Sequence, residues 1–270
     1  MNDAKRAPPG IALEHHFSLQ ADAWSQPAPP PEPPILVERG EDPGTAVVAF
    51  KGFGGVLNRS RFDFLAITGL LRHSRILLRD DSFTCYLAGI PGLADTCEAL
   101  TGVIRDRLAE LAPTRTMMIG PSGGSFAAIL YGHLLGADDV HAFAPFTNLD
   151  PQWSVEHGDP QDRLRHAATL ERLAALPPQA QRYFDLCEVL RGWNGHTRYN
   201  IHVCANSPRE LKRAARLEGL PGVTVHRHPC DTHRVVSWLA GRKRLMPLLR
   251  AENQPDVAAV VAKGANVGDA

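Results

Sequence analysis

The sequence predicts a doubly wound α/β fold built on a mostly parallel sheet. Seven short runs of apolar and β-branched residues alternate with longer segments of helical periodicity. Most of these runs are continuously apolar, as expected of strands that helices cover on both faces. After Phe50, every gap between runs is long enough for a crossover helix, and such crossovers are right-handed in parallel sheets.

These patterns define seven strands and six helical segments. The predicted strands are ILVE (35–38), TAVVAF (45–50), RILLR (75–79), TMMIG (116–120), VHAFA (140–144), NIHVCA (200–205) and VTVHRH (223–228). The predicted helices cover 60–72, 93–112, 122–136, a broad region across 160–191, 208–218 and 233–249. The sequence shows no internal repeat, so a single domain over about 35–250 is expected to contain them all.

Both ends of the chain differ in composition from this domain. Residues 1–34 hold 8 of the 22 prolines, including PAPPPEPP at 27–34. Such density favours extended polyproline conformations, so a disordered leader is expected, with a ligand for a proline-recognition module as the alternative. Residues 251–270 lack aromatic side chains and are expected to form a loose tail.

Composition narrows the function classes. Lys+Arg and Asp+Glu both number 29 in a chain of 270 residues, so no basic excess drives binding to nucleic acid or to an anionic membrane. No run approaches the 18 or so apolar residues of a membrane span, and the N-terminus lacks a signal-peptide core. The five cysteines form no C-x-x-C pair, so neither a disulfide framework nor a zinc ribbon is expected. The protein is therefore expected in a reduced compartment, the cytoplasm.

The most informative motif is TMMIGPSGGSFAAILYG at 116–132. A strand runs through Gly120-Pro121-Ser122-Gly123-Gly124, a G-x-S-x-G, directly into a helix. A nucleophile on such a sharp, strained turn needs glycines two residues before and after it so that the backbones can approach. The turn would place the Ser122 hydroxyl at a helix N-terminus, which favours a developing anion. The alternative is a glycine-rich turn whose serine caps the helix.

This strand–turn–helix motif, called the elbow below, is similar to the nucleophile elbow of the α/β-hydrolase superfamily. The resemblance of the sequence to that superfamily covers about 35–250. In that family the elbow follows the fifth strand, and an earlier strand ends in a small turn that supplies an oxyanion-hole amide. This chain has VVAFKGFGG at 47–55, with Lys51 where the family often has His. The resemblance implies that the backbone N–H groups of Phe53 and Gly123 form the oxyanion hole, with Gly54 as a near alternative to Phe53. A simple strand-ending turn is the other interpretation of KGFGG.

The resemblance also implies a catalytic histidine after the last strand. His233, in HPCDTHRVVSW, follows VTVHRH by a short loop and opens an apolar-periodic helix. That loop lies at the carboxyl edge of the sheet, where open α/β proteins gather their sites. A surface residue that caps the helix is one alternative for His233. A metal cluster of His226, His228 and His233 is another, but its spacing matches no familiar ligand pattern, so no metal is expected.

The acid of the implied triad has three candidates. The family places it just beyond the strand NIHVCA, where this chain reads NSPRELKRA. Glu210 is the first carboxylate there, and the helix start favours its ionised form. Asp150, after VHAFA, is a second placement that relatives use. Asp231 is two residues from His233 and needs a tight loop to reach it. The ranking is Glu210, Asp150, Asp231, and each is also interpretable as a solvated or capping carboxylate.

An insertion between Pro145 and about Tyr199 falls where hydrolases carry a cap, expected over about 146–198. Its aromatic residues either line a pocket or pack the cap against the domain: Trp153, Tyr183, Phe184 and Trp193.

A narrower resemblance rests on RDDSFTCYLAGIPG (79–92), the elbow and YFDLCEVLRGW. These segments are similar to a bacterial branch of hydrolase-fold proteins found near polysaccharide-biosynthesis and glycosyltransferase functions, in which an acid often stands where Glu210 does.

The resulting function hypothesis is a serine esterase that acts through an acyl-enzyme on a small-molecule or carbohydrate-borne ester. Neither a metal nor an organic cofactor is expected. One alternative is an acyltransferase that uses the same serine, and another is a catalytically silent hydrolase fold that binds a partner. Fold membership does not choose the substrate, and the oligomeric state stays open.

Overall fold

The computed structural model describes residues 33–53, 61–231 and 233–250. Seven strands form one sheet in it: β1 (Ile35–Glu38), β2 (Asp42–Phe50), β3 (His73–Leu78), β4 (Arg115–Pro121), β5 (Asp139–Phe143), β6 (Arg198–Cys204) and β7 (Val223–His228). Each corresponds to a predicted run. The largest difference is at β2, which begins three residues early because Asp42 pairs with His73 ahead of an irregularity in register.

The strand order is β1-β3-β2-β4-β5-β6-β7. β1 pairs antiparallel with β3, and every other pairing is parallel. The order reverses between β2 and β4, which therefore lie side by side at the point where ligands bind in open α/β sheets. The elbow follows β4, the fourth described strand, whereas the family resemblance implies a fifth.

Eleven helices accompany the described strands: α1 (Leu65–Gly69), α2 (Cys97–Leu111), α3 (Gly123–Leu135), α4 (Pro151–His157), α5 (Pro160–Arg165), α6 (Ala167–Ala174), α7 (Pro178–Gln181), α8 (Leu186–Arg191), α9 (Pro208–Ala215), α10 (Val235–Gly241) and α11 (Leu245–Arg250). Three predicted helical segments differ, and α4 lies outside all of them. The broad region across 160–191 divides into α5–α8. The segment 60–72 shortens to α1, and the segment 233–249 divides, because Lys243 adopts a left-handed backbone conformation (φ 56°) between α10 and α11.

Helices cover both faces of the sheet, as the continuously apolar strands require. One core contains Val48 and Phe50 together with buried residues of α2, α3 and α8. The other contains Val47 and Ala49 together with buried residues of α10 and α11, and partly buried residues of α1 pack against it. Successive residues of β2 thus enter opposite cores, because side chains alternate across a strand. The prediction of a doubly wound, mostly parallel sheet is confirmed.

No disulfide framework is expected from the sequence, yet one disulfide joins Cys204 to Cys230 (Cα–Cα 4.9 Å). The two cysteines are 26 positions apart along the chain, and the pairing of β6 with β7 brings them together.

The predicted leader, apart from residues 33–34, and the predicted tail (251–270) lie outside the described residues. Among the described helices, none has both the length and the apolar character needed to cross a membrane.

Candidate active site

Ser122 lies on a strained turn between β4 and α3. Its backbone has φ 52° and ψ −121°, which is costly for any residue with a Cβ. The residue occupies the N-cap position of α3, yet its side chain accepts no capping hydrogen bond. Ser125 Oγ donates instead to the Ser122 carbonyl. The hydroxyl of Ser122 is therefore not used as a helix cap, which removes the capping interpretation of the motif.

Two glycines make this turn possible. A Cβ on Gly120 would lie 2.1 Å from the carbonyl oxygen of Gly124, and a Cβ on Gly124 would lie 2.3 Å from the carbonyl oxygen of Phe50. Both contacts are with backbone and cannot relax by a side-chain rotation. The G-x-S-x-G spacing thus reflects a real close approach of β4, α3 and the end of β2.

The turn after β2 packs directly on the elbow. A Cβ on Gly52 would lie 2.6 Å from the carbonyl oxygen of Pro121, and a Cβ on Gly123 would lie 2.9 Å from the Phe53 ring. The backbone N–H of Gly52 donates to Oδ2 of the buried Asp63 (2.9 Å), which anchors the turn. Phe53 and Gly123, the two residues predicted to supply oxyanion amides, are therefore neighbours. Gly54, the alternative, lies outside the described residues.

Asp63, which anchors this turn, belongs to no motif in the sequence. Burial raises the pKa of its carboxyl group, while the Gly52 amide and the charge of Lys51 act to lower it. Its second oxygen, Oδ1, is buried and has no hydrogen-bond partner among the residues that the structure describes. The Asp63 carboxylate anchors the KGFGG turn by accepting the N–H of Gly52. The two residues are 11 positions apart in the sequence, so no local pattern indicates this contact.

His233 faces the same small cavity as Ser122. That cavity is lined by both residues together with Ala144 and Val236. Ser122, Ala144 and His233 all have positive φ (52°, 50° and 61°), although none is a glycine. Strained residues of this kind cost about 1–3 kcal/mol each and cluster at functional sites. The two predicted catalytic residues are thus brought together, and the backbone around them is held in an unfavourable conformation.

Glu210 is fully buried and holds the loop that carries His233. Its Oε1 accepts the backbone N–H of His233 (2.6 Å), and its Oε2 accepts the backbone N–H of Cys204 (2.9 Å). Nδ1 of His233 lies 3.7 Å from Oε1, longer than a hydrogen bond but within ion-pair distance of an imidazolium. The N-cap residue Ser207 positions Glu210 by accepting its backbone N–H (3.4 Å).

Electrostatics keep Glu210 ionised. Burial acts to raise the pKa of its carboxyl group, but the imidazole and backbone N–H of His233 and the amide of Cys204 outweigh burial. The net result is a pKa below the ordinary value of 4.5. A buried carboxylate facing Nδ1 of a histidine is the arrangement that stabilises an imidazolium and selects its tautomer.

The other two candidate acids are not near His233 in a comparable way. Asp150 is the N-cap of α4, where its side chain accepts the backbone N–H of Gln152 (2.9 Å). Asp231 is exposed, and within the described part of the chain it has no hydrogen bond or ion pair to His233. The structure therefore brings together Ser122, His233 and Glu210, and leaves the other two carboxylates outside this arrangement.

The histidines of β5, β6 and β7 form a separate chain, in which His141 and His202 are buried and the two histidines of β7 are half-buried. His141 Nδ1 lies 3.1 Å from His202 Nε2, and His202 Nδ1 lies 3.1 Å from His228 Nε2. His226 stacks on His202 (ring centroids 4.7 Å) and bonds Asn200. Burial lowers the pKa of His141 to about 4 and that of His202 well below 6.5, so both rings are neutral. No group of three potential metal ligands occurs among the residues that the structure describes.

The cap region consists of the five short helices α4–α8, placed between β5 and β6. A cavity of about 310 Å³ lies between these helices, α9 and the ring of Phe53. Trp153 lines this cavity, whereas the other three predicted aromatics do not. Phe184 is buried, and Trp193 donates its Nε1–H to the Thr197 carbonyl (2.9 Å). The cap aromatics thus divide between pocket lining and packing.

Several solved structures share this architecture. The capsule O-acetyltransferase of Neisseria meningitidis serogroup A is 13% identical, with a TM-score of 0.55 over 78% of this chain and 90% of that one. The fluorophosphonate-binding serine hydrolase F of Staphylococcus aureus is 12% identical, with a TM-score of 0.52 over 78% and 84%. The S-formylglutathione hydrolase of S. aureus is 12% identical, with a TM-score of 0.53 over 80% and 92%.

No protein-family model matches the chain, and no curated protein matches it by sequence. The structural likenesses, at 12–13% identity, establish the fold of this chain, which is that of the α/β-hydrolases. The fold class implied by the elbow motif is confirmed.

Proposed function

We propose that the protein is a serine esterase that cleaves an ester of a small molecule or a carbohydrate through an acyl-enzyme. Ser122 is the nucleophile, His233 the general base and Glu210 the triad acid, and the amides of Phe53 and Gly123 bind the oxyanion. The observation that carries this proposal is the shared cavity of Ser122 and His233, with a buried, ionised Glu210 behind the histidine.

The first half-reaction follows from this geometry. The proton of Ser122 Oγ moves to Nε2 of His233 as Oγ forms a bond to the acyl carbon. Negative charge on the carbonyl oxygen is stabilised by two backbone N–H groups, one from the free first turn of α3 and one from the turn after β2. The ester C–O bond then breaks, and the leaving alcohol takes the proton from His233.

The second half-reaction regenerates the serine. A water molecule, or an alcohol in the case of transfer, gives a proton to His233 and attacks the acyl carbon, and the Oγ–acyl bond breaks with return of the proton to Ser122. The ionised Glu210 lowers the energy of both steps because each passes through a charged imidazolium. The turn that carries Ser122 is strained in advance, so the hydroxyl is held ready without further rearrangement.

Acyl transfer is the second candidate. The likeness to a capsule O-acetyltransferase favours it, and a cap cavity of about 310 Å³ is large enough for an acceptor. A competition assay separates the two reactions: 4-nitrophenyl acetate is offered with an excess of a monosaccharide or oligosaccharide, and acetylated sugar is compared with free acetate. Excess acetate supports the esterase, and excess sugar ester supports the transferase. If Ser122→Ala turns over as fast as the wild type, the nucleophile assignment is wrong for both.

A further inference from the structure

The cap cavity has an apolar part and a cationic part. Its apolar lining includes Phe53, Phe146, Leu149, Leu170 and Leu173. The Phe53 ring also lies against Gly123 of the elbow. The Phe53 ring therefore lies between the apolar part of this cavity and Gly123, the residue that follows the nucleophile.

The cationic part is formed by one face of α9. Arg209, Lys212 and Arg213 are spaced i, i+3 and i+4, so they lie on the same side of the helix, and all three line the cavity. Glu210, on the same helix, is directed instead toward the loop of His233. One short helix thus supplies both the triad acid and the cationic wall, which fixes their relative position.

Carboxylates in the cavity lining are fewer than these cations. The lining contains two carboxylates, those of Asp159 and Asp162, against three cations. Asp162 is used by the arginines: Arg209 contacts its Oδ1, and Arg213 donates to its Oδ2 (2.9 Å). Asp159 Oδ1 accepts the backbone N–H of Asp162 (3.4 Å).

Lys212 stands apart from these ion pairs. Its ammonium group donates to the backbone carbonyl of His157 (2.9 Å), and no carboxylate lies within 4 Å of it among the described residues. An ammonium group carries three donors, so two are available to a ligand. Arg209 likewise retains N–H groups beyond the one that contacts Asp162, since a guanidinium has five.

We propose that the cap cavity binds a substrate whose acyl or acceptor part carries an anionic group, a carboxylate or a phosphate, held by Lys212 together with Arg209. This inference rests on the proposed function, because it takes the cavity beside Phe53 as the substrate site. The apolar lining receives the carbon chain, and the cationic face of α9 receives the charge. A carbon chain of a few atoms that ends in an anion is the ligand that this division favours.

The test compares two esters that differ in one terminal group. Mono(4-nitrophenyl) succinate and 4-nitrophenyl butyrate have acyl chains of equal carbon number, and only the first ends in a carboxylate. We expect kcat/KM of the wild type to be about tenfold higher for the succinate ester, the factor for one charge-assisted hydrogen bond, with the difference in KM. Lys212→Met should bring the ratio close to one, and the matched control Lys243→Met should leave it at the wild-type value.

A binding measurement separates this inference from the proposed function. In the Ser122→Ala background, 10 mM succinate or 10 mM inorganic phosphate should raise the Tm by about 3 °C, and the added Lys212→Met change should remove the shift. A shift with only one of the two anions identifies the group that the site takes.

Each outcome decides between the two claims. If the wild type hydrolyses the butyrate ester but shows neither the preference nor a Tm shift, the anion inference is wrong and the esterase proposal stands. If it hydrolyses neither ester but the Tm shift depends on Lys212, the esterase proposal is wrong and the anion site stands. If the preference for the succinate ester survives Lys212→Met, the assignment of the anion site to α9 is wrong. If the wild type hydrolyses neither ester and shows no Tm shift, both claims are wrong.

Discussion

Replacing Glu210 with glutamine removes the negative charge behind His233 while keeping the size of the side chain. In the wild type the carboxylate accepts two backbone N–H groups, from His233 at 2.6 Å and from Cys204 at 2.9 Å. Glutamine has one carbonyl oxygen for these two donors, so its amide nitrogen must face the other N–H. The variant therefore loses a charge-assisted hydrogen bond and leaves a buried donor without a partner.

The size of the effect follows from these contacts. A hydrogen bond to a charged group contributes about 1.5–3 kcal/mol, so we expect the free energy of unfolding to fall by that amount and the Tm by about 3–12 °C. The effect on catalysis is larger, because a neutral side chain no longer stabilises the imidazolium of His233. Loss of a triad acid lowers kcat by about 10³–10⁴, so we expect a loss in that range.

The pH dependence has a definite sign. The pKa of Glu210 is lower in the folded protein than its ordinary value of 4.5. A group of this kind contributes stability above its unfolded pKa, and the contribution is lost as the pH falls through the folded value. Urea unfolding at a series of pH values should therefore show the wild type more stable than Glu210→Gln at neutral pH, with the two curves converging in acid.

The matched control is Asp150→Asn. Asp150 caps α4 through the backbone N–H of Gln152, and asparagine is an equally good N-cap, so both stability and turnover should stay near the wild-type values. Turnover of 4-nitrophenyl acetate by folded Glu210→Gln within about tenfold of the wild type would refute the triad assignment. Glu210 would then be a clamp on the loop of His233 alone. A larger loss in Asp150→Asn than in Glu210→Gln would place the acid after β5.

Two further predictions concern stability. Gly124→Ala places a Cβ 2.3 Å from the Phe50 carbonyl oxygen and should lower the free energy of unfolding by about 3 kcal/mol. The control Gly102→Ala meets open space in α2 and should raise the free energy of unfolding by about 1 kcal/mol. Equal effects of the two changes in urea unfolding would contradict the packing at Gly124. Reducing Cys204–Cys230, which closes a loop of 26 residues, should cost about 3.5 kcal/mol, and an unfolding curve unchanged by reductant would argue against that bond.

Local steric rules account for what could be predicted from the sequence. The elbow is predictable because G-x-S-x-G is a recognisable spacing, in which the demand on Gly120 is local: a Cβ there would meet the carbonyl of Gly124, whereas the demand on Gly124 comes from the distant Phe50. The parallel sheet is predictable because strands covered on both faces are continuously apolar. His233 follows from topology, since the loop after the last strand ends at the same edge of the sheet as the elbow.

Features that depend on contacts between strands could not be predicted. The Cys204–Cys230 bond requires the register of β6 with β7, and the spacing of the cysteines contains no hint of it. The position of Glu210 after the sixth strand favours it as the triad acid, but its hydrogen bond to the backbone N–H of His233 is a tertiary contact. The cationic face of α9 is visible in RELKR, yet only the fold shows that it borders a cavity beneath the cap.

Covalent labelling of Ser122 by a fluorophosphonate tests the central claim most directly, because the probe reacts with a serine that its neighbours activate. Peptide mapping by mass spectrometry should place the label on Ser122 of the folded wild type, leave the buried Ser125 unlabelled, and show slow reaction in His233→Ala and none in Ser122→Ala. An unlabelled wild type, or labelling that persists in Ser122→Ala, would contradict the claim that Ser122, His233 and Glu210 form an active serine site.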